Sequence, residues 1–153
     1  MRFAVDDLDV VLALLRDGLD GVTVMSKIPD GLPDHTPLVV AARTGGSSPR
    51  PEFYDGPDYT LQCWAAPTRT QPDASRAACD LADQARGVLY RAWRTQRVIP
   101  EAGHLVGWQE TQGPLEVPDP DLPHFGRFVQ TVGLRVRPAL RPLPAPGSGV
   151  TAA

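Results

Sequence analysis

The chain has 153 residues, 42% of them hydrophobic and 22% charged, which suits one domain that buries about 68–70% of its unfolded surface and rules out two separate cores. Fifteen basic and 18 acidic residues leave a net charge of −3, so the surface as a whole lacks the positive field of a non-specific nucleic-acid binder, and 17 prolines exclude a helical bundle. Two cysteines do not make a disulfide framework, and Asp6, Asp7, Asp9 and Arg16 break the N-terminal apolar run, so the chain reads as neither secreted nor membrane-spanning and is expected to be made in the cytosol.

Leu8, Val11, Leu12, Leu15 and Leu19 recur at helical spacing, with Asp6 and Asp7 placed where a helix N-terminus favours negative charge. A helix is predicted over about Asp6 to Arg16, stopped by Gly18 and Gly21, and Val22 to Met25 reads as a short strand. After a Pro/Gly-punctuated stretch, Leu38 to Arg43 is a compact apolar strand. A loop from Arg43 to Pro57, rich in Gly, Ser and Pro, then precedes a strand in which Tyr59, Leu61, Cys63 and Ala65 alternate with Thr60, Gln62 and Trp64. Such alternation buries one face, and Trp64 is expected to cover the other.

From near Thr70, capped by Thr70 or Asp73, an alanine-rich stripe through Ala74, Ala77, Ala78, Leu81, Ala82, Ala85, Val88, Leu89 and Ala92 predicts a long helix able to lie close against a sheet. Strands follow at about His104 to Thr111 and Phe125 to Arg137. In the latter, Phe128, Gln130, Val132, Leu134 and Val136 share one face, while Arg127, Thr131, Arg135 and Arg137 share the opposite one. The chain therefore reads as a single α+β domain over residues 1–138: a mostly antiparallel or mixed sheet of about five strands with two main helices on one face. Residues 139–153 are expected to form a flexible Pro/Gly-rich tail.

Reactive constellations are missing from this pattern. Thr44 to Ser48 has the small residues of a phosphate cradle without the lysine or following helix of a P-loop, and reads as a turn. Cys63, Cys79, His35, His104 and His124 show no metal-ligand spacing, so no metal or cofactor is expected, and Cys63 reads as a buried small hydrophobe. Asp119 and Asp121 lie in a proline-rich turn. Arg91, Arg94 and Arg97 complement the end of the long helix, whereas Arg127, Arg135 and Arg137, gathered on one strand face, are the better contact surface.

The order of elements, with Leu38 to Gly46 (LVVAARTGG), Leu61 to Ala65 (LQCWA) and Thr131 to Pro138 (TVGLRVRP), resembles the tail terminator, or tail-completion, proteins of long-tailed bacteriophages over about Asp6 to Pro138. The resemblance implies a non-enzymatic virion protein. It also implies a six-subunit ring on the finished tail tube, contacts with the tail tube protein and with a head-tail connector or head-closure protein, and DNA passing through the lumen without specific binding. Arg43 to Pro57 and Gln112 to His124 are then expected to reach these partners, with Arg43, Gly45, Gly46, Arg50, Phe53, Tyr54, Arg127, Arg135 and Arg137 as contact residues. Other neck proteins combine the same ingredients. From a different class, a small α+β enzyme with a dispersed site would draw on His104, His124 and Asp121, and a nucleic-acid-binding module would use Arg127, Arg135 and Arg137.

Overall fold

The computed structural model describes residues 7–48, 50 and 53–139. In chain order these form α1 (Asp7–Gly18), β1 (Thr23–Met25), a 3₁₀ turn (Leu32–His35), β2 (Leu38–Gly46), β3 (Pro57–Ala65), α2 (Ala74–Thr95), β4 (Val98–Ile99), β5 (Gly103–Glu116) and β6 (Gly126–Pro138). All six strands join one sheet in the order β1-β2-β3-β6-β5-β4. Only β1 and β2 run parallel, and every other pair is antiparallel, so the fold is the mixed α+β sheet that the alternating and helical periods predict. The sixth strand, β4, spans two residues, too short to leave any periodicity. The expected tail lies, but for Ala139, outside the described residues.

Both helices bury their apolar stripes on the same sheet face. Val10, Val11, Leu14 and Leu15 of α1 and Ala78, Leu81, Ala82, Ala85 and Leu89 of α2 meet Tyr59, Leu61 and Cys63 of β3 and Val132, Leu134 and Val136 of β6. Full burial of each leucine contributes about 1.5–3 kcal/mol, while the alanines let the helix axis approach the sheet. Asp73 is the N-cap of α2, accepting from the Arg76 amide at 3.2 Å, and Gln96 ends the helix in the left-handed region at φ 52°. Gln130, fully buried in mid-strand, donates to the Ala82 carbonyl at 2.8 Å and ties β6 to α2. Arg16 donates to the Val24 carbonyl at 3.0 Å and ties α1 to β1. Burial pushes the Cys63 thiol up to about 12, consistent with a packing role.

Among the described residues the other sheet face is covered at one end, where Trp64 sits among Leu32, Leu38 and Val40, with Met25 and Leu122 packed against them. This is the second-face cover that Trp64 was expected to provide.

Two loops are shorter than the sequence suggests. β2 continues to Gly46 and β3 begins at Pro57, because Arg43↔Tyr59 pairing survives a bulge at Thr44 and resumes at Gly45↔Asp58 and Gly46↔Pro57. Gly46, at φ 105°, takes a conformation that residues with a Cβ rarely adopt, and a Cβ on it would meet the Gly56 carbonyl at 2.1 Å. Likewise β5 runs to Glu116, paired with β6 through three register shifts, so residues 112–116 are strand rather than loop. Gly and Pro read as loop in both places because a bulged strand end uses the same residues.

The start of β6 lies against the first turn of α2: a Cβ at Gly126 would stand 2.1 Å from the Ala74 carbonyl oxygen. Gly126→Ala is therefore expected to lower stability by about 1–3 kcal/mol, read as a shifted urea midpoint with an unchanged slope.

Candidate functional site

Three features converge at the hairpin end of the sheet: a cluster of charges, a pinned loop and the arginines near the end of β6. At the centre of the cluster is Arg43. It lies on β2 with its side chain on the helix side, where Nη1 donates to Asp7 Oδ2 at 2.5 Å and to Asp55 Oδ2 at 2.6 Å. Tyr59, fully buried beside it, donates its hydroxyl to Asp7 Oδ1 at 2.5 Å. Ser48 donates to Asp55, whose Oδ1 also accepts from the Gly56 amide at 3.0 Å. Arg43 thus binds the first residue of α1, the far arm of the loop and, through Asp7, the core side of β3.

The carboxylates differ in their electrostatics. Burial, then the neighbouring Asp55 carboxyl, pushes Asp7 up to about 6, against the pull of Tyr59 and Arg43. Burial also raises Asp55, but hydrogen bonds with Arg43, Asp7 and Ser48 outweigh it and hold this group down at about 2. Tyr59 is raised above its ordinary range by burial and by Asp7. As pH falls, Asp7 is therefore the first of the pair to take up a proton, while Asp55 stays ionised against Arg43. Such a group holds backbone segments together, with its two carboxylates buried and the arginine partly open to solvent.

The loop between β2 and β3 is anchored at its base as well. Ser47 donates its amide to the Gly56 carbonyl at 3.0 Å, and Asp55 exchanges both backbone hydrogen bonds with Val136 at 2.9 and 2.7 Å, extending the β3–β6 ladder in register. What projects is the tip around Arg50, Phe53 and Tyr54. The Phe53 and Tyr54 amides donate to the Arg50 carbonyl at 2.9 and 3.1 Å, the Arg50 guanidinium lies 4.9 Å from the Phe53 ring centre, and Phe53 is 50% exposed.

Arg127, Arg135 and Arg137 lie on the sheet face opposite the helices, on the odd-numbered side of β6. Arg127 stacks over Trp64 at 4.9 Å and donates to Gln62 at 3.0 Å. Arg135 lies 5.5 Å from the Tyr54 ring, so an aromatic residue of the loop holds an arginine of the sheet. Between them, Thr44, Thr60 and Thr131 link three strands by hydroxyl contacts of 3.0 and 3.3 Å. Of the nine residues read as contacts, Arg50, Phe53, Tyr54 and Arg135 are gathered at the hairpin end, Gly45 and Gly46 sit in the bulged strand below them, Arg137 lies near the end of β6 opposite His104, and Arg127 is held farther along the sheet by Trp64. Arg43 faces inward to the carboxylates. Sequence reading missed its partners Asp7, Asp55 and Tyr59, since no spacing rule links residues 36 and 12 positions away from it.

The histidines are not brought together. His104 opens β5 and pairs in register with Arg137, while Asp121 and His124 follow the far end of the same strand, about 40 Å away at the rise of an extended strand. Arg97 is paired with Asp17 of α1 and Arg94 lies over Trp93 at 5.7 Å, so the arginines that end α2 are engaged in packing. Among the described residues no three His, Cys, Asp or Glu side chains group as metal ligands, and no helix is long and apolar enough to cross a membrane.

Removing Arg43 leaves two poorly hydrated carboxylates side by side. Arg43→Met is expected to cost about 2–3 kcal/mol, less than breaking a fully buried pair because the Arg43 side chain is 41% exposed. Asp7 also sets a pH dependence. Its folded pKa lies above the ordinary carboxyl value, so its contribution is complete below about pH 4 and is lost as pH rises through about 6. Asp55 is shifted the other way, and its contribution is lost as pH falls toward 2. Urea midpoints should therefore fall between pH 5 and pH 7.5 in the natural protein, and Asp7→Asn should flatten that slope. An identical slope in both proteins would remove Asp7 from the account.

Comparison with known proteins adds the identity of this architecture. No individually curated protein matches the chain. A family model described as phage tail termination protein matches residues 4–138, a span that takes in the hairpin-end site and every strand of the sheet. This family is a structural phage tail protein rather than an enzyme class, which places the chain in the virion tail among other tail components. The chain belongs to the phage tail termination protein family.

Proposed function

We propose that the protein caps the completed tail tube as a closed ring of its own copies, six as the family resemblance implies, ending tube polymerisation and offering the surface on which the head connector docks. The observation that carries this reading is the family match across residues 4–138. The geometry supports it physically. Helices on one sheet face leave the other polar and open beyond the Trp64 cluster, and most of β5 beyond His104 has no strand partner on its outer edge among the described residues. A ring needs one heterologous contact repeated until it closes, and a rigid sheet with a projecting loop supplies two different faces for it. The acidic net charge suits a lumen through which DNA slides without binding. Assembly is placed in the host cytoplasm, followed by retention in the virion neck.

Electron microscopy of particles made without this protein tests the reading. Overlong tails are expected; normal-length tails detached from heads would instead assign it to the connector. A second measurement addresses the arginines. Replacing Arg135 and Arg137 together by glutamate should change stability by about 1 kcal/mol or less, since both are exposed, while abolishing the joining of tails to heads or of copies to one another. Unchanged infectivity of that double variant would remove this face from the proposed surface.

A further inference from the structure

At the end of the sheet away from the hairpin, a groove of about 250 Å³ opens between the start of β2, the end of β3 and the first half of α2. Val22, Pro37, Ala65, Ala66, Ala77 and Leu81 line it, with Asp80 and Gln84 contributing polar atoms. The groove exists because its lining is small: alanines at 65, 66 and 77 leave a depression that larger side chains would fill. Nothing described in this chain occupies it. At the opposite end of β3 stands Phe53, half exposed on a tip whose base is locked by the Ser47–Gly56 and Asp55–Val136 hydrogen bonds. β3 has nine residues, which sets knob and groove on the order of 30 Å apart. Phe53 therefore cannot reach its own groove.

We infer that Phe53 of one copy inserts into this groove on the next copy, making the repeated contact of the ring; the inference rests on the ring reading above. Two observations select a second copy as occupant. The apolar knob and an apolar depression large enough for a phenyl ring sit at opposite ends of one rigid strand, which is the geometry of a head-to-tail contact. The knob is also preorganised, its backbone fixed through the Arg50 carbonyl and its ring backed by the Arg50 guanidinium, so little conformational freedom is lost when it docks.

The test uses full-length protein added to tails that lack it. Phe53→Ser removes the knob, and Ala77→Phe fills the groove at a half-buried position of α2. Each variant alone is expected to keep its circular dichroism and melting temperature yet self-associate at least tenfold more weakly. A mixture of the two retains one good contact, between the knob of the Ala77→Phe chain and the groove of the Phe53→Ser chain, and should stop at dimers. Replacing Phe53 by photoreactive benzoylphenylalanine in a mixture of light and nitrogen-15 chains should cross-link residues 65–84 of a different copy. Rings formed by Phe53→Ser as readily as by the natural protein, or cross-links mapping elsewhere, would overturn the contact and leave the ring reading standing. Natural protein that binds tails only as single copies would overturn both.

Discussion

The hairpin end of this protein depends on one guanidinium shared by two carboxylates. Arg43 bridges Asp7 at the start of α1 and Asp55 in the loop, so a helix and strand already joined by apolar packing are also tied by charge to the base of the loop. The arrangement is asymmetric by necessity. Two carboxylates that close to one arginine cannot both ionise at low cost, and the environment separates them: Asp55 stays charged while Asp7 is pushed up. A purely apolar anchor would be less sensitive to pH but would not orient a loop, because dispersion contacts are non-directional. The bidentate hold of Arg43 on Asp55, with Ser48 and the Gly56 amide on the same carboxylate, sets the direction in which the tip leaves the sheet.

Much of the fold was legible because it follows from periods. The alanine stripe of α2, the alternation in β3 and the two-faced pattern of β6 each map onto observed burial, with Gln130 buried where its neighbours' period places it. Boundaries failed where strand and loop share a vocabulary. Thr44, Gly45 and Gly46 form a bulged strand end, and Gln112 to Glu116 a strip of strand carrying Gly113 and Pro114, because the neighbouring strand and not local preference decides pairing. The site was legible only in part. Exposure of an Arg and a Phe on a Gly/Ser/Pro segment can be read from composition, and so can a row of arginines at period two. That Arg43 turns inward cannot, since its partners come from a helix start and a loop brought together only by the tertiary fold. The groove at the far end was equally hidden, being a property of what alanines leave empty.

Stiffness connects these features to the function. In the proposed ring, each copy transmits a fixed angle to the next, and an error in that angle accumulates around the circle until the ring fails to close. The distance and twist between knob and groove are set by β3, paired along its length with β2 on one side and β6 on the other, so neither end can swing independently of the sheet. At the knob end the Arg43 cluster and the Asp55–Val136 pair hold the loop base. At the groove end, the approach of Gly126 to Ala74 and the Gln130 hydrogen bond to Ala82 seat α2 on the sheet. A protein whose task is to stop a polymer at a defined place gains from such rigidity, since in the proposed ring its selectivity is geometric: each copy would fit a finished tube end and its neighbours together. On that proposal the residues that look least functional, the glycine beneath α2 and the alanines around the groove, contribute as much as the exposed phenylalanine does.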